Sequence, residues 1–219
     1  MSLPPEPPPA AAPESSESPT GFATGFAPTT ERTRVRVHPE RTAPDEIGAI
    51  LREGLIANVA IADEEGPVVI PMTYAVHDSR PRTIYIHGAH HSRLMKHLAT
   101  GRAICISVTM VDGLVYSRTA LNHSVNYRSA VCFGHGRVVK DREEQLLASY
   151  ALIERYFPGR TEGVDYAPIP EAHLKGTSYV AIDVTDASAK VRRGGPKGPG
   201  DDDPTAPGTA GVIEFSPPR

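Results

Sequence analysis

The chain of 219 residues has no tryptophan, only two cysteines and an aromatic content of 6%. Two thiols, Cys105 and Cys132, far apart and each inside an apolar run, exclude a disulfide scaffold and read as buried reduced cysteines. No apolar run approaches the roughly 20 residues needed to cross a bilayer. The opening MSLPPEPPPA lacks the basic and apolar regions of a signal peptide. An excess of one charge is missing too. The 23 basic and 26 acidic residues leave a net charge of −3, which speaks against a dedicated nucleic-acid binder with a concentrated basic face. Equally absent are a GxSxG elbow, an HExxH helix and a Walker loop. These absences imply a soluble, cytoplasmic protein without membrane or nucleic-acid partners. Any enzymatic chemistry would then belong to a bound cofactor.

Proline is plentiful, and its distribution divides the chain. Residues 1–30 hold eight of the 22 prolines and no basic residue. Such a segment buries too little apolar surface to offset its ordering entropy and is expected to be a disordered tail. Residues 196–219 hold six more prolines and the run Asp201, Asp202, Asp203, and are expected to be a second disordered tail. The folded unit is therefore expected over residues 31–195, a usual size for one domain.

Within that unit most of the periodicity is two. Strands are expected at 56–62, 67–76, 83–88, 102–111, 114–120, 127–140 and 177–185, with Asp112-Gly113 as a hairpin turn. Gly134 and Gly136 suggest a bulge. Helices are expected at 42–55, at 92–100 with Ser92 as its cap, and at 141–157. Six or seven short strands with few helices predict a mainly β protein, an antiparallel barrel with flanking helices.

Four segments carry candidate chemistry. YIHGAHHSRLMKHL (85–98) gathers His87, His90, His91 and His97 with Arg93 and Lys96. Gly88 permits close backbone approach, and a helix start at Ser92 and Arg93 suits a phosphate. Lys96 lies one turn along the same face. The histidines alternatively suggest a metal, although HxxHH is not a standard zinc spacing; an ordinary polar loop is the third reading. SVNYRSAVCFGHG (124–136) offers Asn126 and Arg128 on one strand face, with Ser129 on the other. PMTYAV (71–76) places a proline in a β run, which fits an edge whose polar backbone groups can meet something planar. KVRRGGPKGPG (190–200) is basic and glycine-rich, either a solvated linker or a flap over an anionic ligand.

Taken in order, PMTYA, YIHGAHHSRLMKHL, DGLVYSRTALNHSVNYRSAVCFG and KVRRGGP resemble the flavin-binding split-barrel proteins related to pyridoxamine 5′-phosphate oxidase. The branch containing nitroimidazole-resistance proteins is the most similar. The resemblance spans residues 32–198. It implies a homodimer of six-stranded antiparallel split barrels with FMN in a cleft at the dimer interface. Ile70, Pro71, Met72, Thr73 and Tyr74 would run along the isoalloxazine, and His87 and Gly88 would approach it. Ser92, Arg93 and Lys96 would hold the phosphate, while Asn126, Arg128 and Ser129 would contact flavin or phosphate. Leu94 stands where the oxidases carry a second cation, and their tryptophan-containing C-terminal motif has no counterpart, which argues against vitamin B6 oxidation. Relatives of this fold also bind haem or a deazaflavin. The implied activity is electron transfer from a reduced nicotinamide donor, NAD(P)H, through FMN to a small nitroaromatic or quinone acceptor. His87 is the candidate catalytic group. The alternative is a non-catalytic flavin- or haem-binding protein, with haem held by a histidine of the 87–91 cluster.

Overall fold

The connection between two short strands determines how this sheet closes. The computed structural model describes residues 30–215, so the tail expected at 1–30 lies, except for Thr30, outside the described residues. Eight strands form one antiparallel sheet: β1 (Ala57–Asp63), β2 (Gly66–Met72), β3 (Ala75–His77), β4 (Arg80–Ala89), β5 (Ala103–Tyr116), β6 (Ser124–Val138), β7 (Thr177–Arg192) and β8 (Gly211–Glu214). The order is β2-β1-β5-β6-β7-β4-β3, with β8 added beside β5. The two ends of that order, β2 and β3, are joined only by Thr73 and Tyr74. So short a link spans about 10 Å at most, and it forces the sheet to curl until its edges nearly meet.

Alternation along each strand fills the space enclosed. Val59 and Ile61 of β1, Ile84 and Ile86 of β4, Ile106 and Val108 of β5, and Val180 and Ile182 of β7 share one buried cluster. Each fully buried side chain of this kind contributes about 1.5–3 kcal/mol. Helices α1 (Ile47–Glu53) and α2 (Arg93–Ala99) add Ile47, Ile50, Leu51, Leu94, Met95 and Leu98 to the same cluster. Ser92 caps α2 as expected, accepting a hydrogen bond from Met95 N at 3.2 Å. Outside the barrel, α3 (Arg142–Tyr156) and α4 (Glu171–Gly176) cover a second cluster around Tyr85, Leu174, Tyr179 and Ala181. Asp141 caps α3 through Glu144 N at 2.9 Å.

Four expectations require correction. The run 67–76 is two strands, because the chain changes sheet edge at Thr73-Tyr74. The helix expected at 42–55 is shorter, with Pro44–Glu46 forming a 3₁₀ turn before α1. Asp112-Gly113 is not a hairpin turn but an irregularity inside continuous β5, where the register to β6 shifts. The long partner strand β6 pairs with both halves of β5, and that ladder outweighs the local turn preference. The segment 196–215, expected to be disordered, folds back on the barrel. Asp201 accepts hydrogen bonds from Ser117 Oγ at 3.0 Å and Arg118 N at 2.8 Å, and β8 pairs with Gly113–Tyr116. A Cβ on Gly113 would lie 2.7 Å from Ile213 O, so glycine here admits the added strand. Among the described residues the barrel thus has eight strands, not six.

The seam is held from both sides. Tyr74 is fully buried, and its hydroxyl lies 2.8 Å from Leu51 O and 2.9 Å from Gly54 O, sharing one proton between them. Tyr74 N donates to the Tyr156 hydroxyl at 3.1 Å, which in turn donates to Leu55 O at 2.7 Å. The Arg155 guanidinium stacks 4.3 Å from the Tyr74 ring centroid. Burial pushes the Tyr74 phenol well above its ordinary pKa, so it stays a donor. Tyr74→Phe removes the hydroxyl donor from Leu51 O, while Gly54 O keeps the Arg155 guanidinium, and it is expected to lower the unfolding free energy by about 1–3 kcal/mol. Urea denaturation measures this, and an unchanged midpoint would show that the seam does not depend on the hydroxyl.

Candidate functional site

Alternation along β4 sorts the histidine segment onto two faces. Ile84, Ile86 and Gly88 point into the barrel, whereas Tyr85 and His87 point outward beneath α3 and α4. His87 sits opposite Tyr179 of β7, with ring centroids 6.0 Å apart. Both line a cleft of about 480 Å³ together with Thr73, Leu152, Ile153, Tyr156, Phe157, Ile169 and His173. The walls are mostly aliphatic and aromatic, and the volume lies in the range of small-molecule and cofactor sites. His87 keeps solvent access through the mouth of the cleft. The walls nonetheless desolvate it and lower its pKa from the ordinary value, which favours the neutral imidazole near pH 7.

The remaining histidines of the segment are separated from this cleft. The His90 Nε2 pairs with Lys175 O at 3.1 Å, and His91 is exposed. His97 is buried on α2, its Nε2 without a partner among the described residues. Among those residues no group of three or more His, Cys, Asp or Glu converges in a way that could hold a bare metal ion. The sequence cluster is therefore a product of strand and helix geometry, which leaves one histidine facing an apolar cavity.

The expected phosphate residues are engaged differently. The Cβ position of Gly88 is directed at Met95, 3.1 Å from its Cε, so the lack of a side chain here serves the packing of α2. Arg93 grips Asp63 in a two-pronged ion pair, Nε to Oδ2 at 2.6 Å and Nη2 to Oδ1 at 2.5 Å, and also meets Glu65 at 3.2 Å. Arg93 holds the Asp63 carboxyl down at about 2. Lys96 is exposed on the same short helix. Arg128 is likewise paired, to Asp112 at 3.0 and 2.9 Å and to Glu53. Ser129 Oγ donates to Lys190 O at 3.1 Å. Asn126 accepts from Arg192 and donates to Gly194 O at 3.2 Å. A phosphate on Arg93 or Arg128 would have to displace carboxylates, whereas Asn126 already organises a neighbouring arginine.

Ile70, Pro71 and Met72 lie on β2, the edge strand, paired to β1 on one side only. Its outer polar backbone groups are without a strand partner among the described residues, which suits the hydrogen-bonding rim of a flat heteroaromatic ring. Thr73 reaches the His87 cleft directly, and Tyr74 turns inward to the seam. The α4 segment, with Ile169 and His173 at the cleft, was missed from sequence because a six-residue helix after a proline-rich loop has too little periodicity to register.

The family model described as pyridoxamine 5′-phosphate oxidase matches residues 43–191. The flavocytochrome Anf3 from Azotobacter vinelandii superposes with a TM-score of 0.75 at 27% identity, covering 86% of each chain. An FAD- and haem-binding protein from Mycobacterium smegmatis gives 0.69 at 28% identity, covering 80% of this chain and 82% of its own. A Bacteroides thetaiotaomicron protein assigned to 5-nitroimidazole antibiotic resistance gives 0.55 at 23% identity, over 67% and 82% of the two chains, and supports the fold alone. The comparison with curated proteins gives no match. The fold is that of the flavin-binding split barrels.

The wall of the cleft is charge-locked to the barrel. Glu144 of α3 accepts from Tyr85 OH at 2.8 Å and pairs with Arg137 at 2.6 and 2.8 Å. Arg137 above all, with Tyr85 and Arg80 in support, lowers the Glu144 carboxyl to about 2. The unfolded chain, with an ordinary glutamate, binds a proton first as pH falls. The lock is therefore fully present above about pH 5 and lost progressively toward about pH 2. Thermal unfolding of parent and Glu144→Gln across this window should give midpoints that converge as pH falls. Parallel curves would contradict the lock.

Proposed function

The chain belongs to the pyridoxamine 5′-phosphate oxidase family, and from that premise we propose that it is a flavin-dependent redox protein carrying a haem in the cleft beneath α3 and α4. The observation that carries this reading is His87, a partly desolvated imidazole at the mouth of a predominantly apolar cavity of about 480 Å³. The neutral ring nitrogen of His87 would hold a haem iron, and aliphatic and aromatic walls suit a porphyrin. His173 stands in the same cleft as a second polar group. The relatives at 27% and 28% identity, a flavocytochrome and an FAD- and haem-binding protein, support the pairing of the two groups. A flavin, when bound, connects two-electron hydride chemistry with one-electron transfer. In this chain the free edge of β2 would hold the ring, and Thr73 would link that edge to the haem cleft. FMN and FAD share the ring and differ in a second phosphate and a nucleoside.

The electron donor in this reading is a reduced nicotinamide, and the acceptor is a small oxidant of the nitroaromatic or quinone type. A homodimer belongs to it as well. Leu114 is paired with Val125 across β5 and β6 and with Ile213 across β5 and β8. These three exposed apolar side chains form a row across three strands, the kind of face a second copy covers. Sedimentation as a monomer would refute that part. Free thiols at Cys105 and Cys132 fit a cytoplasmic setting.

Absorbance of the purified protein tests the central assignment. The parent is expected to show flavin bands together with one intense haem band. His87→Ala should lose the haem band and keep the flavin bands. A haem band that survives the substitution, or is absent from parent expressed with ample haem, would overturn the assignment.

A further inference from the structure

A second cavity, about 820 Å³, opens between residues 38–46, the turn around Leu121–Ser124 and the end of β7. Arg41, Arg192, Arg193 and Lys197 line it, against two carboxylates, Glu40 and Glu46. Pairing uses part of that charge. Glu46 holds Arg193 at 2.7 and 2.5 Å. Glu40 lies 3.0 Å from the His38 ring and only loosely, at 3.8 Å, from Arg41. Arg192 differs from the others. It is 9% exposed, and its recorded partners are neutral: Asn126 Oδ1, Gly194 O at 3.2 Å and Gly195 O at 3.2 Å. Burial, and then the charge of Arg41, push its pKa below the ordinary value.

A desolvated guanidinium facing a second cation, with only carbonyls and an amide to meet it, lacks a counter-charge. Asn126 and the 194–195 backbone fix its orientation, so a ligand would meet a pre-organised donor. The cavity is too large for one phosphate group. Val191 and the fully exposed Leu121 supply apolar surface at its wall and rim.

We propose that this cavity binds the pyrophosphate of a nucleotide, with Arg192 and Arg41 as principal donors, Lys197 adding charge and Leu121 and Val191 meeting the base. The site does not require the redox reading. Its pyrophosphate comes either from a flavin dinucleotide or from a nicotinamide dinucleotide, which share this chemistry.

Calorimetric titration of the full-length protein with ADP and with inorganic pyrophosphate tests the site. Binding is expected, and Arg192→Gln and Arg41→Gln are each expected to weaken it at least about tenfold, as loss of a charge-assisted contact does. Arg34→Gln, which alters charge away from the cavity, should leave it unchanged. Arg41→Gln leaves the Asn126 and 194–195 bonds of Arg192 in place, so its loss of affinity is not a folding effect. If ADP binds only after flavin is removed, and Arg192→Gln also releases flavin, the source is the flavin dinucleotide. If ADP binds to flavin-loaded protein and competes with NADPH, the source is the nicotinamide dinucleotide. Arginine-dependent ADP binding by a protein that takes up neither flavin nor haem would sink the redox reading and leave this site standing. Absence of binding in both loaded and flavin-free protein, or equal affinity in parent and Arg41→Gln, would overturn the site.

Discussion

Two residues carry the chain from one edge of the sheet to the other, and that short crossing constrains the rest of the molecule. Thr73 and Tyr74 oblige β2 and β3 to lie close together at opposite ends of the strand order. The sheet then has to enclose its core. Tyr74 occupies the seam and uses its whole polar inventory there. Its hydroxyl faces the end of α1, its amide faces Tyr156, and Arg155 covers its ring. The same crossing sets the cleft, because Thr73 and Tyr156 are both lining residues and Tyr156 is the last residue of α3. Closure of the barrel and placement of the apolar cavity are thus one event.

Charge pairing divides the arginines into structural and available ones. Arg93, Arg128, Arg137 and Arg193 each meet at least one carboxylate in close geometry. Arg137 ties α3 to the barrel, and Arg128 spans the β5 irregularity at Asp112. Arg192, held only by neutral groups, is left with unmet charge. Availability follows from partners rather than from sequence neighbourhood, which is why the arginine beside a helix start is less suited to an anion than the one beside a glycine-rich turn.

The sequence made the strands, the two capped helices and the barrel class legible, because alternation and capping are local signals. Ser92 was readable as a helix cap from its neighbours, and the helix at 141–157 from its apolar periodicity. Legibility ended where distant segments compete. Asp112-Gly113 has the composition of a turn, but whether it turns depends on the β6 ladder twelve or more residues away. Strand β8 is four residues long and acquires its meaning only from an edge on β5. The site followed the same division. His87 at the end of a strand was identifiable, and its orientation follows from period two. The roles expected of Gly88 and Arg93 were not fixed locally, since Met95 fills the space beside Gly88 and Asp63, thirty residues upstream, takes Arg93. Asn126 was a candidate from its place on a strand, but the guanidinium it orients lies at the far end of β7.

A cavity with apolar walls and a partly desolvated histidine at its mouth, a strand edge without a strand partner among the described residues, and a basic cavity form three distinct environments on one barrel. They fit a porphyrin, a flat flavin ring and a nucleotide pyrophosphate respectively, and family membership makes a flavin the natural common element. Release of all non-covalently bound groups from the purified full-length protein, with identification by mass and counting per chain, tests this account most directly. The account predicts a flavin and an iron protoporphyrin. A deazaflavin alone, or a protein that takes up neither flavin nor haem when both are supplied, would contradict it.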